Sequence, residues 1–137
     1  MTSNFNPDRG PAVRDPAGGR FATLTFERHV AAPLPVLWQT WSAPAGRAIW
    51  AAPTPTVTVE FLEAETRVGG REVSLCKARG QPDIRCECGW LELQPEVRSV
   101  NYEVVSSNGA AQSAALVTAD FSGTDEHSRV LVTVQLS

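Results

Sequence analysis

An α+β domain is what this sequence predicts: one strand, two short helices, then an antiparallel sheet made by the rest of the chain. Three observations carry that expectation. Thr23 to Val30 alternates, with Leu24, Phe26 and Val30 on one parity and Thr25, Glu27 and His29 on the other, as a half-buried strand does. Leu34, Leu37, Trp38 and Trp41 follow at helical spacing behind Pro33 and Pro35, where a missing amide proton costs a helix little. From Thr56 onward, apolar residues recur at period two between short Gly, Pro and Asn turns, so sequential strands pair antiparallel.

Residues 1–20 are rich in Pro, Gly, Asp, Asn and Arg without an apolar period, and are expected to be a flexible arm. The domain is expected over 21–137. Ser42-Ala43-Pro44 closes the first helix and opens a second, Ala45 to Ala51, with Ile49 and Trp50 apolar; Pro53 and Pro55 then forbid further helix. Strands are expected over 56–65, 71–79, 84–93, 100–106, 113–121 and 129–136. Val68-Gly69-Gly70, Gly80-Gln81-Pro82-Asp83, Pro95, Asn108-Gly109 and Ser122-Gly123-Thr124-Asp125 separate them. Val130, Val132, Val134 and Leu136 share one parity, which gives the last strand a strongly apolar face.

The chain has 137 residues, enough for one domain with a real core, and carries 12 basic against 15 acidic side chains for a net charge of −3. No basic stripe marks a nucleic-acid partner, and no apolar run reaches the ~20 residues of a membrane helix. The N-terminus lacks the pattern of a secretory signal. Three cysteines are an odd number, against a disulfide framework. A reducing, cytoplasmic setting is expected.

The order of motifs resembles a known family. Phe26-Glu27-Arg28-His29-Val30, then Ala32-Pro33, then Trp38-Gln39-Thr40-Trp41 is followed by Arg67-Val68-Gly69-Gly70-Arg71, Gly89-Trp90-Leu91-Glu92-Leu93-Gln94-Pro95 and a final strand with Val130-Leu131-Val132-Thr133. This series is similar to the START-like (SRPBCC) superfamily, within it to small homologues of the heat-shock-protein-90 ATPase activator, over roughly residues 22–137. The resemblance implies a helix-grip fold, in which a curved antiparallel sheet wraps a long C-terminal helix around an apolar cavity. Relatives bind lipids, hormones or aromatic polyketides, and some catalyse cyclisation or dehydration. The namesake's action on a chaperone is not carried over, because the co-chaperone's separate N-terminal domain has no counterpart in the sequence. Where the family closes its second helix with a tryptophan pair, this chain has Trp50-Ala51. Its sequence ends at Ser137, directly after the last strand. The expectation is that the natural protein continues into the long helix; a homodimer covering the apolar face is the second expectation.

Candidate site residues follow from residue type and from that resemblance. Trp38, Trp41, Trp50, Phe61, Trp90 and Tyr102 are expected to be core, with two or three touching a ligand. By family register Glu72, Ser74 and Cys76 face the cavity, and a carboxylate there is a raised-pKa acid or a ligand anchor. The preferred alternative shifts the register by one, with Val73 and Leu75 inward and Glu72 solvated. Cys86 and Cys88 lie two apart on one strand, about 6.6–6.8 Å between α-carbons, with parallel side chains unsuited to a disulfide. A symmetric Gly80 turn sets Cys76 opposite Cys86, yet no zinc spacing is present. Small buried core thiols are therefore expected, with Cys88 a cavity contact. His29 and His127 have no acidic or nucleophilic partner in sequence, so no catalytic set is assigned. Gly69-Gly70 joins strands and is not a phosphate loop.

Binding of an apolar or aromatic small molecule in an internal cavity, without cofactor or metal, is the functional expectation. A cyclase or dehydratase using the same cavity ranks second, since an enzyme requires at least two inward ionisable groups. A chaperone-linked interaction protein ranks third, because the mixed surface charge suggests no docking patch.

Overall fold

Period-two alternation produces strands throughout the second half of the chain, and the computed structural model shows how they assemble. It describes residues 12–14, 20–50 and 54–137. The order is β1 (Ala12–Arg14), β2 (Arg20–Val30), α1 (Leu34–Ser42), α2 (Pro44–Trp50), β3 (Val57–Ala64), β4 (Arg71–Ala78), β5 (Ile84–Gln94), β6 (Arg98–Ser107), β7 (Ala110–Gly123) and β8 (Ser128–Leu136). All eight strands form one antiparallel sheet in the order β1-β2-β8-β7-β6-β5-β4-β3. The first long strand therefore closes against the last. β1 pairs with the start of β2, and the remainder of the expected arm lies outside the described residues.

The helix-grip expectation is overturned. Among the described residues the only helices are α1 and α2, of nine and seven residues, and no long helix is held in the sheet. β7 and β8 span 14 and 9 residues and stay paired as far as Leu136, so the final stretch of the described residues is sheet.

One sheet face carries the ion pairs Lys77–Glu60, Arg71–Glu87 and Arg85–Glu87 at 2.9, 3.2 and 2.9 Å. These exposed pairs contribute little stability each but keep that face in water. The opposite face is apolar. Val117, Ala119 and Phe121 of β7 and Val130 and Val132 of β8 are buried there, with Trp41 packed on them.

α1 supplies this cover. Pro33 is its N-cap and Pro35 lies in its first turn, and the Leu34 amide bonds the Thr124 carbonyl at 3.3 Å, which ties the helix start to the β7–β8 turn. Leu34, Leu37, Trp38 and Trp41 then point at the sheet. The rings of Trp38 and Trp41 meet Phe121 edge-on, with centroids 5.1 and 5.7 Å away. The Trp41 indole N–H donates to Ser99 Oγ on β6 at 3.0 Å, so its polar atom is satisfied inside the core.

The Gly69-Gly70 turn is docked rather than free. Gly69 N–H donates to the Trp90 carbonyl at 2.9 Å, and Trp90 N–H donates to the Gly70 carbonyl at 3.1 Å. A β-carbon on Gly70 would lie 2.1 Å from the Glu65 carbonyl oxygen, so only glycine fits. The turn thus fixes the backbone of β5 where Trp90 leaves it.

Trp41→Ala is expected to lower the unfolding free energy by about 3–5 kcal/mol, as aromatic truncation in a packed core does. Urea denaturation measures it. A loss below about 1 kcal/mol would show that α1 is not held by this side chain.

Candidate functional site

Beyond Trp41 the apolar sheet face runs on under α2, and there the cover is incomplete. A cavity of about 300 Å³ remains. Val105, Ala115, Val117, Val132, Val134 and Leu136 form its apolar wall, and Phe26, Trp41 and Trp90 also border it. Arg47 from α2, Asn101 and Glu103 from β6 and Ser113 from β7 are its polar lining.

Register explains this grouping. Glu72 pairs with Cys88, Cys88 with Glu103, Glu103 with Ala115, and Ala115 with Leu136. In an antiparallel sheet paired residues share a face, so this row crosses the sheet beneath the helices. The adjacent row runs Trp90, Asn101, Val117, Val134.

Glu72 is 1% exposed, which overturns the preferred expectation that it is solvated. Val73 is buried as well, on the other face of the same strand. The Glu72 carboxylate accepts hydrogen bonds from the Arg47 guanidinium and from the Trp90 indole N–H. The guanidinium carbon lies 5.2 Å from the Phe61 ring centroid and 5.0 Å from that of Trp90, which adds cation–π attraction. Arg47 Nε is buried without a hydrogen-bond partner. This cluster joins α2 to β3, β4 and β5.

Glu103 is the second carboxyl on this face. Asn101 Nδ2 donates to its Oε1 at 3.4 Å. Removal from water pushes the Glu103 carboxyl above the ordinary carboxylate range, against smaller lowering effects of Asn101 and Arg47. Burial raises both neighbouring thiols: Cys88 is pushed up to about 12 and Cys86 also moves upward. All three cysteines are free thiols. Cys76 pairs with Ile84 and Ser74 with Cys86, so Cys76 does not stand opposite Cys86. The pairing is centred on Gly80 itself and not on the middle of Gly80-Gln81-Pro82-Asp83. Among the described residues no group of three or more His, Cys, Asp or Glu could hold a metal ion.

Of the residues singled out in the sequence, Trp41 and Trp90 border the cavity. Glu72 and Phe61 hold Arg47, and buried Cys88 sits between Glu72 and Glu103. Ser74 is half-buried beside Cys86. Trp38 packs against Phe121 away from the cavity lining. The Trp50 side chain and Ala51 lie outside the described residues. Tyr102 is on the opposite face, 42% exposed, with its ring over Gly89, where a β-carbon would meet it at 2.1 Å. Its neighbours Asn101 and Glu103 face the cavity instead. Sequence reasoning chose the aromatic residue of β6 and so the wrong parity; pairing β6 with Trp90 through the β5–β6 turn points to Asn101 and Glu103. Arg47 carried no signal in sequence.

No family model and no curated protein matches the chain. Solved structures do. The protein Mll3558 from Rhizobium loti is 24% identical with a TM-score of 0.73, over 85% of this chain and 78% of that one. An uncharacterised protein from Rhizobium leguminosarum is 23% identical with a TM-score of 0.73, over 85% and 76%. The protein Ms6760 from Mycobacterium smegmatis is 15% identical with a TM-score of 0.68, over 90% and 76%. At such identities the likeness shows a shared fold. No helix among the described residues is long and apolar enough to cross a membrane.

Two outcomes are expected from these side chains. Removing one member of the buried pair, as in Glu72→Leu or Arg47→Met, is expected to cost about 3–5 kcal/mol, because the other charge is left buried alone. The double variant is expected to recover most of that loss in urea denaturation, and strictly additive losses would show that the pair is not coupled. The raised thiols are protonated at neutral pH and poorly nucleophilic. Cys86 and Cys88 are expected to react with iodoacetamide at pH 8 at least about a hundredfold more slowly in the native protein than in urea. Equal rates, resolved by peptide mass spectrometry, would contradict their enclosure.

Proposed function

We propose that this protein binds an apolar or aromatic small molecule in the cavity between α2 and the sheet. One observation carries the reading: an apolar sheet face left partly uncovered, with about 300 Å³ of space and only a few polar groups along it. Ligand sites have this composition, in which apolar walls supply affinity and a few polar groups fix orientation. The volume lies at the small end of the roughly 300–1,000 Å³ typical of such sites, which favours a compact ligand. Trp41 and Trp90 border the space, so occupancy is reported by their fluorescence.

Titration with 1-N-phenylnaphthylamine, an uncharged aromatic probe, is expected to give a saturable one-to-one change in tryptophan emission. Ala115→Trp, which fills the cavity from β7, is expected to abolish that change while circular dichroism still shows a folded sheet. An unsaturable response, or binding unaffected by the filled cavity, would remove this reading.

A further inference from the structure

The polar groups of the cavity are unequal in what they offer a ligand. Arg47 is already bonded to Glu72, so its charge is locally matched. Glu103 forms no ion pair among the described residues, and Arg47 acts on it only at longer range. It is flanked in register by Cys88 on β5 and Ala115 on β7. The titratable and charged groups around it are Cys88 and Cys86 from β5, Glu72 from β4 and Arg47 from α2. β7 and β8 contribute Ser113, Ala115, Val117, Val134 and Leu136 to the same cavity, none of them titratable. An ionised Glu103 would lie out of water beside two thiols and an apolar wall, with Asn101 and Arg47 offsetting only part of that cost. Burial accordingly favours its neutral acid form.

The hydrogen bond it makes then fixes where the proton sits. Oε1 accepts from Asn101 Nδ2, so the proton belongs on Oε2. A carboxylic acid in that state is a donor. We propose that Glu103, as the acid, donates a hydrogen bond to the carbonyl oxygen of an uncharged, otherwise apolar ligand, a medium-chain or aryl ketone or ester in chemical class. The ligand's apolar body lies against Val105, Ala115, Val134 and Leu136. This rests on the cavity being a ligand site. A carboxylate ligand would place a third acid beside Glu72 and Glu103 with one shared cation. An alkylammonium would require Glu103 to ionise out of water and would lie near Arg47. A carbonyl meets neither cost, and it leaves no buried donor unpaired.

Displacement of 1-N-phenylnaphthylamine from the full chain by nonan-2-one, nonanoate and nonylamine tests this. Nonan-2-one is expected to bind at least about tenfold more tightly than either charged analogue, the value of one good hydrogen bond plus avoided charge burial. The donor exists below the raised pKa of Glu103 and is lost above it, so ketone affinity is expected to fall as pH rises through that pKa. Glu103→Gln keeps an N–H donor and is expected to bind the ketone without that pH dependence. Glu103→Leu is expected to keep the fluorescent probe and lose about tenfold in ketone affinity. A charged analogue binding as well as the ketone, or a flat wild-type pH profile, would overturn the proposal while leaving the cavity reading intact. Failure of every probe to bind the wild type would instead remove the cavity reading and this inference with it. The Gln variant and the wild-type profile decide the matter even if the Leu variant does not fold.

Discussion

A single sheet has two faces, and among the described residues two short helices cover part of one of them. The placement of the core and of the cavity follows from that partial cover. The ion-paired face is left to water, where Glu60, Lys77, Arg71, Arg85 and Glu87 keep it wetted. The apolar face is covered first where the helices can reach, at the β7–β8 end, by the edge-on contacts of Trp38 and Trp41 with Phe121. Burying an aromatic or branched aliphatic side chain contributes roughly 1.5–3 kcal/mol, so this corner holds much of what the helices add. Farther along, cover is thinner and the cavity opens.

The buried charge cluster belongs to the same arrangement. α2 is too short to be held by an apolar stripe alone. Arg47 attaches it to the sheet through Glu72, between the rings of Phe61 and Trp90. A buried ion pair is weak evidence for stability, because desolvation offsets its attraction. It is strong in specifying one arrangement, because any other leaves a charge unpaired. The docked Gly69-Gly70 turn serves that end from below, holding the β5 backbone from which Trp90 reaches Glu72. With Glu72 bonded to Arg47, the second carboxyl of the face, Glu103, is bonded instead to Asn101, although the two lie in one row across the sheet.

Sheet edges set the remaining limits. β3 is an edge strand, and its pairing to β4 is interrupted between Phe61 and Glu63. The bulge leaves Leu62 54% exposed and breaks the regular ladder, as edge strands do to avoid pairing with another chain. A second bulge between Trp90 and Glu92 in β5 turns Leu91 outward, at 51% exposure. Each falls beside an aromatic residue that contacts Arg47, so the irregularities aim the side chains of the cluster.

The individual elements are legible in the sequence, because their causes are local. Period two in Val57 to Phe61 and Val130 to Leu136 sets strands, the prolines at 33 and 35 start α1, and Leu34, Leu37, Trp38 and Trp41 define its inward face. The aromatic weight of that helix also marks it as the cover of a sheet. A long gripped helix was an expectation from resemblance and not from any pattern in these residues, and the described elements are one sheet with two short helices. Which parity of β4 and β6 faces the helices is settled only by assembly. A strand's two faces differ only by what packs on them, and Glu72 beside Val73, or Glu103 beside Tyr102, reads equally well either way until the register with Trp90 is fixed. Assembly also brings Arg47, a lone cation in a short helix, to Glu72 across 25 residues of chain. Partnership at that separation depends on how the sheet closes, and no local pattern in the sequence records it.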